Sequence, residues 1–215
     1  RLNRGLFQIL RIIGNMSDAE RCAAVSHQET VDIPALFAEF FEKAETLVSH
    51  TGITLTYEGP AQPIYGLADR EQLERAVLNI LSNAIKFTPK GGTVAAKLTR
   101  SGRMLRLSVT DSGSGIAQSV RSSVFSRYLR QPALEDSRYG IGLGMVLIRT
   151  AAAHHGGAVL IDQPEGVGTR ITMTMSIRQS KQATLRSNIL RVDYAGERDH
   201  GLIELSECLP TELYE

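Results

Sequence analysis

Three polar, glycine-containing motifs follow one another in this chain, each at a predicted boundary between structural elements. They are Asn79-Ile80-Leu81-Ser82-Asn83-Ala84-Ile85-Lys86, Asp111-Ser112-Gly113-Ser114-Gly115-Ile116 and Gly140-Ile141-Gly142-Leu143-Gly144. A single glycine motif is weak evidence, because tight turns of this kind occur in many folds. Three such motifs in this order indicate one nucleotide site, so the fold has to bring them together.

Composition limits the classes of function. The chain has 215 residues, of which 42% are hydrophobic and 22% charged, enough for one cored domain with appendages. Its net charge of +1 provides no basic field for nucleic acid. Cys22 and Cys208 lie far apart and favour a reducing compartment over a disulfide scaffold. No apolar run approaches the roughly 18 residues needed to span a bilayer, and no signal-peptide pattern is present. We expect a soluble piece of a longer protein, since the sequence starts without Met.

The most informative predicted helix runs from about Asp69 to Phe87. Its apolar stripe comprises Leu73, Ala76, Val77, Ile80, Leu81 and Ala84, and its other side carries Gln72, Arg75, Asn79, Asn83 and Lys86. Two mid-helix asparagines one turn apart cost stability, which favours a functional role. An amide oxygen is a suitable ligand for Mg²⁺, and a lysine neutralises phosphate charge. The alternative is an exposed polar face that happens to contain asparagine.

The remaining periodicity is mixed. It predicts strands at 31–33, 53–57, 94–98, 105–110, 158–162 and 169–177, a helix from Pro34 to about His50, and a helix after Gly144. A turn at 101–103 makes a hairpin of the third and fourth strands. The pattern is that of a mixed α/β domain.

The N-terminal stretch has the spacing of a coiled-coil seam. Its apolar residues recur at alternating steps of four and three: Leu2, Leu6, Ile9, Ile13 and Met16. A helix this short does not bury its stripe alone, so we predict packing against a partner helix. The alternative is a helix that docks on its own domain.

The order and chemistry of the three motifs resemble the ATP-binding catalytic domain of sensor histidine kinases. That domain belongs to a superfamily shared with type II topoisomerases, Hsp90 chaperones and MutL proteins. The resemblance runs from about Val31 to Met175. With the mixed pattern of strands and helices, it implies an α/β (α+β) two-layer sandwich in which helices pack on one face of a mixed sheet. It implies the end of a dimerisation helix and a linker in 1–28, the catalytic domain in 29–178, and a tail of unknown role in 179–215.

The resemblance implies ATP and Mg²⁺ as cofactors and assigns roles to four residues. Asn83 would ligate Mg²⁺, Asn79 would touch the metal or the phosphates, and Lys86 would contact phosphate, with Asn79 and Lys86 serving catalysis. Asp111 would accept a hydrogen bond from the adenine amine, although an Asp-Ser-Gly sequence is also an ordinary turn. Hydrolytic relatives carry glutamate where this chain has Asn79, which favours phosphoryl transfer to a protein over hydrolysis.

The segment 118–139 corresponds in the family to the lid over ATP, and 124–128 resembles its phenylalanine box. Phe125 and Tyr128 are equally compatible with core packing. The further nucleotide-binding residues that the resemblance implies are Gly113, Gly115, Ile116, Tyr128, Gly140, Gly142, Leu143, Gly144 and Thr169. The glycine loop before the helix at Gly144 would present backbone amides to the phosphates.

A kinase of this family phosphorylates a histidine, yet His27-Gln28 lacks the acidic neighbour typical of an acceptor. The resemblance therefore implies a separate dimerisation and phosphoacceptor domain as partner, a response regulator indirectly, and a homodimer in the full-length protein. It also implies a cytoplasmic location, as the cytoplasmic part of a membrane-anchored kinase. The alternatives are a degenerate nucleotide-sensing module, a topoisomerase- or chaperone-type ATPase, and a serine kinase.

Two further sequences have structural interpretations. His154-His155 precedes two glycines, which is typical of a helix C-terminus and not of a metal site, because adjacent helical residues point in different directions. In the tail, 189–192 and 202–205 are predicted strands, and Ser206 is a predicted helix cap. We expect this tail to pack on the domain or on a second subunit.

Overall fold

The structure is a computed structural model that describes residues 5–11, 27–115, 144–164, 168–178 and 199–214. Its strands are β1 (Glu29–Asp32), β2 (Thr54–Glu58), β3 (Tyr65–Ala68), β4 (Thr93–Ser101), β5 (Met104–Asp111), β6 (Val159–Asp162) and β7 (Arg170–Ser176). Its helices are α1 (Ile33–Ser49), α2 (Arg70–Phe87), α3 (Gly144–His154) and α4 (His200–Glu204), followed by a 3₁₀ turn at Thr211–Tyr214. Residues 5–11 are also helical.

Five strands form the main sheet in the order β2-β4-β5-β7-β6. The β2–β4 pair is parallel, and the other pairs are antiparallel. Alternate residues of β4 and β5 are buried, and the register places Leu98 opposite Leu107 and Leu107 opposite Met173. Because side chains alternate across a strand, this register collects the apolar residues on one face of the sheet.

Helices α1, α2 and α3 cover that face. The largest buried side chains come from these helices and from the sheet: Phe37, Phe40, Phe41, Ile33, Leu73, Ile80, Leu81, Leu105, Leu107, Ile148 and Met173. The predicted two-layer sandwich with a mixed sheet is confirmed. None of the described helices is both long enough and apolar enough to cross a membrane.

A second, two-stranded sheet lies beside the main one. Strand β1 pairs antiparallel with β3, with Glu29 opposite Ala68 and Asp32 opposite Tyr65. The short β3 was not predicted, because a strand of four residues leaves little periodicity to recognise.

The C-terminal segment, residues 199–214, corrects a strand prediction. Residues 202–205 are not a strand, since His200–Glu204 form α4 and Leu205 is its C-cap. The Asp199 carboxylate caps this helix by accepting from the N–H groups of Gly201 (2.7 Å) and Leu202 (3.2 Å). Ser206 therefore follows a helix instead of capping one. The other predicted tail strand, 189–192, lies outside the described residues.

The N-terminal helical residues dock on the domain through one side only. The Phe7 ring lies edge-on to Tyr214 of the C-terminal segment, with centroids 5.1 Å apart, and Arg11 is buried. The seam residues Leu6 and Ile9 point away and are 47% and 53% exposed. The helix therefore docks on its domain, and packing of the seam against a partner helix stays a prediction.

Candidate functional site

The start of α2 is fixed by Asp69. Its Oδ1 accepts from the Gln72 N–H (3.2 Å), and its Oδ2 accepts from the His27 N–H (2.8 Å). Its own N–H donates to Nε2 of His155 (2.9 Å), whose Nδ1 faces the Ala151 carbonyl at 2.7 Å. His155 is therefore the neutral tautomer with its proton on Nδ1. Burial lowers the pKa of His155, so its role here is structural.

Asp111 ends β5 beside the start of β7. Its Oδ1 accepts from the N–H groups of Gly113 (2.8 Å) and Thr169 (3.2 Å). No described residue hydrogen-bonds to Oδ2, which leaves that oxygen for a ligand. Burial raises the pKa of Asp111, and the two N–H donors offset part of this rise. Ser112 is also engaged, because its Oγ accepts from the Thr93 N–H (2.9 Å).

Gly113 joins the aspartate motif to α2. A Cβ on Gly113 would lie 2.3 Å from the carbonyl oxygen of Phe87, the last residue of α2. Only a residue without a side chain can approach that carbonyl so closely. The end of β5 and the end of the asparagine helix are therefore in direct contact, and Asp111 and Lys86 belong to one region. The second glycine, Gly115, has φ +75°.

Gly144, the first residue of α3, lies against the other end of the asparagine motif. A Cβ on Gly144 would lie 2.8 Å from Oδ1 of Asn79. Asn79 is 1% exposed, and no hydrogen-bond donor among the described residues reaches its Oδ1. The structure thus brings Asn79, Gly144, Gly113 and Asp111 together along α2.

The alternative interpretation of α2 as an exposed polar face is wrong for Asn79 and Arg75, because both side chains are buried. The Asn79 Nδ2 donates to the Arg75 carbonyl (2.9 Å) and to Oε2 of Glu204 (3.2 Å), while Nε of Arg75 donates to Oε1 of Glu204 (3.1 Å). Glu204 is fully buried, and Nε of Arg11 is 3.4 Å from its Oε2. A buried carboxylate at this place is stable because two guanidinium groups and an amide surround it.

Lys86 is likewise bound to the C-terminal segment. Its Nζ donates to Oε2 of Glu207 (2.9 Å), and Nη1 of Arg11 is 3.1 Å from the same oxygen. Burial by itself raises the pKa of Glu207, but the Arg11 and Lys86 cations outweigh it and hold that pKa below its usual value. The next residue, Cys208, donates from Sγ to the Ser82 carbonyl (3.3 Å), and burial raises the pKa of its thiol.

Asn83 is the described residue that fits a divalent cation best. Its Nδ2 lies 3.4 Å from Sδ of Met145, and no described residue hydrogen-bonds to its Oδ1. The side chain is only half-buried. Mg²⁺ keeps several waters and takes few protein ligands, and one amide oxygen together with ligand phosphates suits it.

Five predicted site residues lie outside the described part of the chain: Ile116, Tyr128, Gly140, Gly142 and Leu143. Sequence reasoning missed the two glutamates of the C-terminal segment and the role of Arg11. No local signal identifies them, because ordinary charged residues distant in sequence acquire a role only through tertiary contact.

Comparison with known proteins shows the family of this chain. Residues 68–179 match the family described as histidine kinase-, DNA gyrase B-, and HSP90-like ATPase. An uncharacterized sensor-like histidine kinase of Rhizobium meliloti is 30% identical over 94% of this chain and 41% of its own length. The sensor-like histidine kinase SenX3 of Mycobacterium tuberculosis is 27% identical over 82% of this chain and 45% of its own. The chain thus spans less than half the length of these relatives.

Solved structures of histidine kinases are also similar to this chain. A mycobacterial sensor histidine kinase, MprB, is 30% identical with a TM-score of 0.58, covering 71% of this chain and 99% of that one. Full-length ShkA in complex with AMPPNP is 25% identical with a TM-score of 0.67, covering 81% of this chain and 37% of that one.

Proposed function

Because this chain belongs to the family of histidine kinase-, DNA gyrase B- and HSP90-like ATPases, we propose that it is the ATP-binding catalytic domain of a two-component sensor histidine kinase. In this proposal the domain binds Mg-ATP and the γ-phosphoryl group goes to a histidine of a dimerisation domain. The sensor-kinase relatives support the kinase role, and the AMPPNP complex of ShkA supports an adenine nucleotide as ligand. The observation that carries the proposal is the contact of Gly113 with the end of α2, which joins Asp111 to the asparagine helix.

Each described site residue has a role in this proposal. The free Oδ2 of Asp111 accepts the adenine amine, while Gly113 and Thr169 hold Oδ1 and so orient the carboxylate. Lys86 neutralises phosphate charge, Asn83 offers an amide oxygen to Mg²⁺, and Asn79 contacts the metal or the phosphates. Bound Mg²⁺ supplies further charge neutralisation. Phosphoryl transfer is mainly positioning and charge neutralisation, so this set suffices once an acceptor is supplied.

The remaining residues and partners complete the proposal. The loop residues Gly140, Gly142, Leu143 and Gly144 would close over the phosphates, and Gly115, Ile116 and Tyr128 would contact the nucleotide. The acceptor histidine would come from the dimerisation domain, with a response regulator downstream and a homodimer in the full-length protein. The whole would be the cytoplasmic part of a membrane-anchored kinase.

Calorimetric titration with a non-hydrolysable ATP analogue, with and without Mg²⁺, tests the site. Asp111→Asn keeps an oxygen for Gly113 and Thr169 but replaces the charged acceptor, so affinity should fall roughly 5- to 150-fold, the equivalent of about 1 to 3 kcal/mol. Glu58→Gln, at an exposed position of β2, also removes one negative charge but lies away from the site, and it serves as the control. Equal affinity for all three proteins, or for ATP and GTP analogues, would contradict the adenine assignment.

Transfer needs its own experiment. The chain is mixed with the dimerisation domain of its kinase and γ-labelled ATP, and a dimerisation domain whose acceptor histidine is replaced by glutamine is the control. We expect acid-labile label on the unmodified dimerisation domain alone. Acid-stable label would indicate a hydroxyl acceptor and therefore a serine kinase, and nucleotide binding without any transfer would indicate a sensing module.

Hydrolysis is a second candidate function because Glu204 places a carboxylate beside Asn79, where hydrolytic relatives carry their glutamate. Its neighbours oppose that role, since Arg75, Arg11 and Asn79 already contact both oxygens of the carboxylate. We therefore expect negligible phosphate release from ATP in the absence of an acceptor. Steady ATP turnover that disappears in Glu204→Gln would favour the hydrolytic function instead.

A further inference from the structure

The C-terminal segment lies on the side of α2 that carries the candidate phosphate-binding residues. Two of its side chains are acidic and point inward: Glu204, which contacts Arg75 and Asn79, and Glu207, which contacts Lys86. Arg11 from the N-terminal helix reaches both carboxylates. Two carboxylates therefore engage three cations and an amide within the proposed nucleotide site.

These contacts have the chemistry of phosphate recognition. Carboxylate and phosphate oxygens accept from the same guanidinium, ammonium and amide donors, and charge-assisted bonds of this kind are the strong ones. The Lys86 side chain is only 10% exposed, and its ammonium already has a carboxylate partner at 2.9 Å. A nucleotide phosphate that approaches Lys86 has to compete with Glu207 for it.

We propose that the C-terminal segment is an autoinhibitory element in which Glu204 and Glu207 take the place of nucleotide phosphates at Asn79 and Lys86, so that nucleotide binding requires the segment to leave α2. This inference rests on the proposed function, because it assigns a regulator to the same site. The two glutamates of the segment compete with the triphosphate of a nucleotide for the same donors.

Apolar contacts hold the segment in place. Ile203, Leu205, Leu209 and Tyr214 are each at most 5% exposed, and the Tyr214 hydroxyl donates to the Leu202 carbonyl (2.9 Å). Phe7 packs on Tyr214, and Arg11 contacts both glutamates. The N-terminal helix therefore clamps the segment, and a shift of that helix would weaken both kinds of contact at once. When only a minor, released state binds the nucleotide, the apparent affinity is the intrinsic affinity multiplied by the fraction of molecules in that state.

Two readouts on the full chain test the proposal. The first is the affinity for a non-hydrolysable ATP analogue with Mg²⁺, measured for the wild type, Glu207→Gln and Glu212→Gln. Glu207→Gln removes the charge that faces Lys86, so affinity should rise roughly 5- to 30-fold. Glu212→Gln makes the same change at an exposed position of the same segment and should bind as the wild type does.

The second readout needs no substitution. Cys208 is half-buried and its thiol is hydrogen-bonded to Ser82, so faster alkylation of this thiol reports release of the segment. Mass spectrometry distinguishes the Cys208 peptide from the Cys22 peptide. Saturating analogue should accelerate alkylation of Cys208 in the wild type.

The possible results separate the two hypotheses. Nucleotide binding with unchanged or weaker affinity in Glu207→Gln, or with no faster alkylation of Cys208, would overturn autoinhibition and leave the nucleotide site in place. If neither the wild type nor Glu207→Gln binds the analogue, the proposed function fails and the autoinhibition inference fails with it.

Discussion

The side-chain nitrogen of Asn79 donates to the carboxylate of Glu204 at 3.2 Å, although the two residues are 125 positions apart. The same nitrogen donates to the Arg75 carbonyl, and these two acceptors fix the orientation of the amide. Its oxygen consequently points at Gly144, the start of α3. One asparagine thus connects α2, α3 and the C-terminal segment, and the predictions below begin from this cluster.

Loss of Arg75 should destabilise the fold. Its side chain is 5% exposed and pairs with the fully buried Glu204. Removing one partner of a buried ion pair costs roughly 3 to 5 kcal/mol, and we expect about 3 for Arg75→Met because Asn79 and Arg11 still reach the glutamate. Lys97→Met, which breaks an exposed pair with Glu58, should cost at most about 1 kcal/mol. Urea unfolding measures both, and equal losses would contradict the buried network.

The two asparagines should respond differently to substitution. Asn83→Ala removes the proposed Mg²⁺ ligand from a half-buried position, so it should abolish the Mg²⁺ dependence of nucleotide binding and leave stability nearly unchanged. Asn79→Ala removes hydrogen bonds in a buried cluster and should cost about 1 to 3 kcal/mol. Calorimetry and thermal unfolding of both variants check this. Retained Mg²⁺ dependence in Asn83→Ala would remove Asn83 from the metal site.

Nucleotide affinity should fall on acidification at a higher pH than an ordinary aspartate implies. Burial raises the pKa of Asp111 above its model-compound value of 3.8, and protonation removes the charged acceptor. Binding is therefore complete above the raised pKa and is lost as the pH falls through it. The wild type and Asp111→Asn should approach one another in affinity over that range. A constant ratio between them down to pH 4 would exclude this titration.

Acid should destabilise the fold through His155. Burial lowers the pKa of His155 below 6.5. As the pH falls through 6.5, this histidine is therefore protonated in the unfolded chain while it is still neutral in the folded chain. Stability is therefore complete above that pH and declines below it, until the folded-state pKa is reached. His155→Gln should be less stable at pH 7.5 but should lose less stability between pH 7 and 5. An equal slope in both proteins would contradict this.

Gly168 should tolerate alanine far less than Gly102 does. Both have positive φ, +87° and +59°, so an alanine at either position costs about 1 to 2 kcal/mol for the left-handed conformation. A Cβ on Gly168 would lie 1.7 Å from the Asp111 carbonyl oxygen, whereas Gly102 has nothing within 4 Å. Gly168→Ala should therefore cost roughly 1 to 3 kcal/mol more and should weaken nucleotide binding by displacing Asp111. Similar stabilities for the two variants would show that the backbone there relaxes freely.

Much of the fold was predictable because its signals are local. The alternation of β4 and β5 and the apolar stripe of α2 each lie within one element, so periodicity predicts these elements, while their two-layer arrangement was predicted with the family resemblance. Strand β3 was missed because it is four residues long, and α4 was taken for a strand because its apolar residues lie in a run too short to show a period. The Asp199 cap was the available sign of a helix at this position.

The sequence by itself determined the family and the chemistry of the candidate site, since asparagine, lysine, aspartate and glycine occur there in a characteristic order. Only the tertiary structure decided which of these residues are buried and what faces them. Arg75 and Asn79 belong to a polar stripe in sequence, yet Glu204 covers both, and Glu207 covers Lys86. The physical reason is that a buried ion pair depends on distance in space, and residues more than a hundred positions apart carry no shared pattern along the chain.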